Sequence, residues 1–163
     1  MEILRVATPG ELKEQSNHHL DDFTAFVKSA GEADASHVKT AKCLVQLYRS
    51  ERLVGTAALK ANSSYRNSCF KSAGVEELAD SFPLELGYVA VDKELRRRGV
   101  SHLLVAAALS RREKSGVYAT SNLVNLPMHK VLETRGFTRA GVPWESKKKP
   151  GQYLALFLST GGP

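Results

Sequence analysis

The chain has 163 residues, 42% of them apolar and 25% charged, and a formal charge of +6. That length suits one domain with a core of its own, and the composition is that of an ordinary globular protein. No apolar run approaches the length of a membrane span and the amino end follows no secretory pattern, so neither a membrane protein nor an exported one is expected.

Glu2–Ala7 alternates weakly and reads as an opening strand. Thr8-Pro9 is a helix start, with Thr as N-cap and Pro at the first helical position. Leu12 to about Ala30 is helical in two pieces, the second with an apolar face of Leu20, Phe23, Phe26 and Val27. His18 and His19 are adjacent and point about 100° apart on a helix, so an exposed pair is expected rather than a metal site. Gly31 ends the segment, and Glu32–Thr40 is a polar loop. Ala41–Tyr48 and Leu53–Lys60 are strands of a hairpin turned at Arg49-Ser50-Glu51-Arg52.

The stretch 61–83 is the least regular. Asn62-Ser63-Ser64 and Asn67-Ser68 are turn chemistry, and Val75–Ala79 suits a short helix. Tyr65, Arg66, Phe70 and Lys71 would project from such a segment. Substrate recognition is one reading of it; a lid or a contact within a homodimer is the other.

Leu84–Val91 is a short apolar run rich in branched and aromatic residues, a buried strand. Asp92–Arg98 is a charged connector. Gly99–Ser115 carries Val100, Leu103, Leu104, Ala107 and Ala108 as a helical stripe, with Arg111, Arg112 and Lys114 where the helix dipole favours cations. Gly116 stands where a left-handed cap is wanted. Val117–Thr120 is a strand, Ser121–Asn125 a connector, and Leu126–Arg135 a helix with Pro127 in its first turn and Gly136 at its end. Phe137–Val142 and Gln152–Leu158 are closing strands, and Ser159–Pro163 is a frayed tail.

Two cysteines, Cys43 and Cys69, are too few for a disulfide framework and have no metal-type neighbours in sequence. Free thiols in a reducing cytoplasm, and no metal, are expected. Much of the positive excess lies in Arg96–Arg98 and in Lys147–Lys149, the latter before Pro150-Gly151 at a solvated hairpin tip. No recognition motif accompanies this charge, which argues against a nucleic-acid partner.

Arg96-Arg97-Arg98-Gly99-Val100-Ser101 is a cationic turn running into a helix N-terminus. Free N–H groups and partial positive charge at such a terminus suit a phosphate, and Gly99 permits close approach. A solvated basic loop is the competing reading, because one glycine and three arginines make a weak motif.

Strand, then Arg96-x-x-Gly99-x-Ser101, then helix resembles the acetyl-coenzyme A signature of the GNAT superfamily of N-acetyltransferases. Ser101 stands where that family has Gly or Ala. Downstream, Asn125 begins a helical segment closing with Gly136-Phe137, similar to the family's second motif. The resemblance spans about Val38–Leu158. It implies a mixed α/β fold, a central and mostly antiparallel sheet flanked by helices, in a single domain. Residues 1–40 would form the first strand and acceptor-side helices, 41–158 the coenzyme-binding core and 159–163 the tail. The loop 32–40 would then line one wall of the acceptor site.

The resemblance implies that acetyl-CoA is the cosubstrate and that the acceptor is a primary amine, on a small molecule or a protein, acetylated directly in a ternary complex. Val89, Ala90 and Val91 would present main-chain groups to pantetheine and the thioester oxygen, with a bulge at Gly87. The diphosphate would lie on the N–H groups from Arg97 through Gly99, Val100 and Ser101 to His102, with charge from Arg96, Arg97 and Arg98; Asn125 completes the coenzyme set. Glu85 is out of place in a buried strand. Six positions before Val91, it matches a glutamate that some relatives use as general base, and desolvation would raise its proton affinity. Many relatives carry a general-acid tyrosine seven residues after the helix Asn; here that position is Leu132. Tyr88, Tyr118, Tyr153, Ser101 and His129 are the candidates left for that role. A domain that binds acetyl-CoA without turnover, as a sensor or partner-binding module, is the alternative.

Overall fold

The computed structural model describes residues 1–32 and 34–161. Ala33, within the expected loop, and Gly162 and Pro163, in the expected tail, lie outside the described residues. The fold is mixed α/β, with seven strands and flanking helices, and it divides into two compact units: Met1–Ala61 with Leu86–Arg111, and Asn62–Glu85 with the chain from Arg112 onward.

The first unit begins with β1 (Glu2–Ala7), α1 (Pro9–Gln15) and α2 (Asn17–Ser29). Thr8 caps α1 by accepting from the Glu11 amide, and Ser16 both ends α1 and caps α2, which is why the helical stretch is in two pieces. β1 pairs antiparallel with β2 (Cys43–Arg49), and β2 with β3 (Arg52–Lys60). Ser50 and Glu51 close that hairpin, both with positive φ, as a two-residue turn matched to strand twist requires. β4 (Leu84–Val91) lies beside β3. Leu12, Phe23, Val27, Leu44, Ala58 and Tyr88 fill the core between α1, α2 and the strands.

After β4 comes α4 (Val100–Leu109), which packs on β2 and β3 with Leu104, Val105 and Ala108. It is shorter than its apolar stripe suggests. Leu103, read as part of the buried face, is 46% exposed, and the chain leaves the helix at Ser110. Gly116 therefore caps nothing. A Cβ there would lie 2.1 Å from the Ser81 carbonyl oxygen, so this glycine answers a close backbone approach within the second unit.

The second unit contains α3 (Ser63–Ser72), a 3-10 turn at Glu76–Ser81, β5 (Val117–Asn122), α5 (Leu126–Thr134), β6 (Thr138–Glu145) and β7 (Tyr153–Ser159). β5 pairs parallel with the first two residues of β4 and antiparallel with β7, and β7 pairs antiparallel with β6. The segment 61–83 is not a projecting insertion. Asn62 accepts from the Tyr65 amide and caps α3, and Phe70, Ala73, Ala79 and Phe82 form a core with Tyr118, Leu156 and Leu158. Burying a side chain such as Phe70 contributes about 1.5–3 kcal/mol, enough to hold this layer down. Ser159 belongs to β7 rather than to a tail: it is buried, and its hydroxyl accepts from Arg112 Nη1 at 2.7 Å.

Candidate functional site

In the first unit, β4 changes character along its length. Leu86 is buried, while Val89, Ala90 and Val91 are half-exposed. Between them Tyr88 has φ +52°. An aromatic residue in the left-handed region is an outlier costing about 1–3 kcal/mol, sustained only where its surroundings hold it there. The left-handed residue stands at Tyr88, one position beyond Gly87, where the sequence leads us to expect a bulge. Contacts at both ends of the residue hold it. Its phenol donates to the Asp34 carbonyl at 2.9 Å, its ring meets Phe23 edge-on with centroids 6.0 Å apart, Lys60 Nζ lies 4.1 Å from its centroid, and Thr56 Oγ1 donates to its carbonyl at 2.8 Å.

The connector after β4 is built turn by turn. The Asp92 amide donates to the Val54 carbonyl at 2.9 Å. Asp92 then caps the 3-10 turn Lys93–Leu95 by accepting from the Glu94 amide, and Leu95 is buried beneath it. Arg52 pairs with both acids of the connector, Asp92 at 3.3 Å and Glu94 at 3.7 Å. Arg96 Nε donates to the Val91 carbonyl at 3.2 Å and ties the turn to the end of β4. Arg97 has φ +62°, Gly99 has φ +77°, and α4 begins at the next residue.

Among the described residues, four of the five α-helices carry a side-chain cap: Thr8, Ser16, Asn62 and Asn125. α4 has none, since its N-cap is Gly99. The first amides of a helix have no acceptor within it, so those of Val100, Ser101 and His102 depend on a partner from outside. The space a Cβ would take at Gly99 is open, with no atom within 4 Å. Arg96, Arg97 and Arg98 are exposed around it, and Arg97 and Arg98 have no ion pair among the described residues. An uncapped amino end, an open approach and unneutralised guanidinium groups fit a diphosphate.

The second unit holds Glu85, 5% exposed and in register with Tyr118 across the parallel pairing of β4 and β5. Burial pushes the Tyr118 phenol far above its ordinary range, and the negative charge of Glu85 pushes it further. Burial raises Tyr65 in the same way; Cys69 and Glu85 add to the rise, and a 3.2 Å hydrogen bond to Thr120 Oγ1 opposes it. Both phenols stay protonated at any working pH, so they are donors and not bases. Neither Tyr65 nor the helix carrying it was legible as part of this cluster; the only signal was Asn62, a cap as well as a turn residue.

Asn125 also lies in the second unit, where its side-chain oxygen accepts from the Met128 amide at 3.3 Å and caps α5. Leu132 is fully buried. His129 is buried against Phe157, with Nε2 3.0 Å from the Asn122 carbonyl oxygen, which makes it a structural side chain rather than an acid toward a substrate. Tyr153 is exposed, and the Tyr88 phenol is committed to Asp34. His18 is exposed as expected, but His19 is half-buried and bonded to Arg5 and Tyr48. Among the described residues no group of His, Cys, Asp or Glu is arranged to hold a metal ion, and no helix is long and apolar enough to cross a membrane.

The model of the acetyltransferase (GNAT) family matches residues 4–137, which include the cationic turn, Tyr88 and Glu85. The chain belongs to that family. It is therefore an acyltransferase. Solved structures agree in fold. Escherichia coli ElaA shares 15% identity and a TM-score of 0.70, over 96% of this chain and 99% of its own. An acyl-CoA N-acyltransferase of Pseudomonas aeruginosa shares 11% and 0.69, over 98% and 100%. A Bacillus anthracis protein described as a streptothricin acetyltransferase, solved in complex with acetyl coenzyme A, shares 16% and 0.52, over 75% of this chain and 64% of its own. No curated protein sequence matches the chain.

Proposed function

We propose that this acetyltransferase moves the acetyl group of acetyl-CoA to a primary amine, directly and within a ternary complex. The observation that carries the reading is the run from left-handed Tyr88, through half-exposed Val89, Ala90 and Val91, into an uncapped α4 behind Gly99. Such a run offers main-chain donors in sequence, first to a thioester oxygen and then to a diphosphate. The amides from Arg97 to His102 take the diphosphate, with charge from Arg96, Arg97 and Arg98. Asn125, the cap of α5, completes the proposed coenzyme set.

Acetyl-CoA supplies an activated acyl carbon, so the protein has to orient, polarise and manage protons. Main-chain N–H groups of β4 polarise the carbonyl without reorganising. Glu85 is the proposed base: its carboxylate sits out of solvent beside two phenols that remain protonated. Glu85 first takes one proton from the ammonium; the neutral amine then attacks, the C–N bond forms and the C–S bond breaks, the nitrogen sheds its second proton to solvent, and the sulfur leaves as thiolate. The cytoplasm, where buried Cys43 and Cys69 stay reduced, is the compartment this reading assumes.

One observation favours a second reading. The position of the family's general-acid tyrosine is Leu132, fully buried, so no phenol serves there. A non-catalytic acetyl-CoA sensor needs no such acid. Calorimetric titration with acetyl-CoA, followed by thiol release over a panel of amines, separates the two. Binding with release for at least one amine is expected; binding without release for any would favour the sensor.

A further inference from the structure

We propose that Thr56 and the phenol of Tyr88 act as a positioning pair, setting the direction in which the Val89 main-chain amide points. The inference rests on the acetyl-transfer reading above and names what prepares its thioester-facing amide.

The peptide bond between Tyr88 and Val89 is planar and trans, so its C=O and N–H point in opposite directions. Thr56 Oγ1 donates to the Tyr88 carbonyl at 2.8 Å, which aims that carbonyl at β3. The Val89 N–H is thereby turned away from β3, off the ladder that β3 and β4 share. Thr56 is fully buried, so no water competes for its hydroxyl, and its β-branch restricts the hydroxyl to few directions. The φ of +52° at Tyr88 is one that an aromatic residue abandons unless held. The second hold is at the far end of the same side chain, where the phenol donates to the Asp34 carbonyl between α2 and β2. Lys60 and Phe23 against the ring fix its course between the two. Neither residue touches the reacting atoms; each acts through the one peptide unit.

The bland alternative is that Thr56 only satisfies a buried carbonyl. Acetyl-CoA labelled with 13C at the acetyl carbonyl distinguishes the two by infrared difference spectroscopy, with no acceptor needed. Bound to the wild-type protein, the labelled carbonyl band is expected below its position in free solution, as hydrogen bonding to an amide requires. In Thr56→Val, which keeps the shape and removes the hydroxyl, the band moves back toward the free position, and Thr56→Ser restores it. With an amine substrate in hand, Thr56→Val lowers kcat by about tenfold to a hundredfold, the scale of a small misplacement at a reacting centre, and leaves KM nearly unchanged.

Wild-type protein that does not bind acetyl-CoA overturns the acetyl-transfer reading itself. Wild-type protein that binds it with an unshifted band, or Thr56→Val with the full wild-type shift, overturns the positioning role alone. Should Thr56→Val not fold, Tyr88→Phe reads the pair from its other end. It is expected to lose part of the band shift, and retention of the whole shift overturns the proposal.

Discussion

Glu85 and Tyr118 lie opposite each other where β4 and β5 run parallel, and both are buried. Among the described residues the phenolic oxygen of Tyr118 has no hydrogen-bond partner. A buried donor left unsatisfied carries its desolvation cost without return. Tyr118→Phe removes the hydroxyl and keeps the ring that packs edge-on against Phe70 at 5.5 Å. The expected change in unfolding free energy lies between zero and about 1 kcal/mol of stabilisation, measured by urea denaturation. A loss of about 2 kcal/mol or more would mean the hydroxyl has a partner in solution, such as an ordered water.

Glu85→Gln keeps the side chain's size and removes its basicity. Turnover is expected to fall by about 10²–10⁴, the usual contribution of a positioned base. The affinity for acetyl-CoA stays within about twofold, since Glu85 is given a role toward the amine and none toward the coenzyme. The acid limb of the pH–rate profile should disappear in the variant. A wild-type rate across the pH range removes Glu85 from the mechanism.

Gly99 separates backbone strain from ligand exclusion. Gly99→Ala puts an L residue at φ +77°, at about 1–2 kcal/mol in stability, but its methyl enters open space. That methyl takes up part of the proposed phosphate approach, so coenzyme affinity is expected to fall modestly. Gly99→Glu adds bulk and negative charge where a diphosphate is proposed to lie, and a loss of about a hundredfold or more follows from like charges at short range. Equal affinities for the two variants, measured by calorimetry, would show that the phosphate lies elsewhere.

His19 makes stability depend on pH. Burial, with the Arg5 guanidinium beside it, holds its imidazole below the ordinary 6.5 despite the opposing charge of Asp22. The unfolded chain then takes up this proton at a higher pH than the folded one does. Stability attributable to His19 is therefore complete above 6.5 and falls as the pH drops below it, until the folded form titrates too. The melting temperature, followed from neutral pH down through that window, should fall less in His19→Gln than in the wild type. Parallel curves for the two proteins would exclude His19 as the source.

The local elements were legible because their signals act over a few residues. Thr8-Pro9 announced α1, Asn125 with Pro127 announced α5, and Arg96-x-x-Gly99-x-Ser101 announced the turn into α4. Each is a matter of one cap, one fixed φ or one glycine, decided within a single turn of chain. The same holds for the apolar runs that became β2, β3, β4 and β7.

Tertiary structure alone decided what depends on partners far along the chain. α3 looked like loop chemistry because its helical face is written by Phe70 meeting Tyr118 and Leu156, not by its own composition. Leu103 belongs to the apolar stripe of α4 and still lies outside the core, because periodicity gives a stripe but not its width. Gly116 looked like a cap and is a gap left for the Ser81 carbonyl. The left-handed backbone of Tyr88 had no signal in its neighbours, because what sustains it comes from Thr56 on one strand and Asp34 in a distant loop. Conformations that a residue prefers can be read from its neighbours; a conformation that it resists exists only where the rest of the fold imposes it.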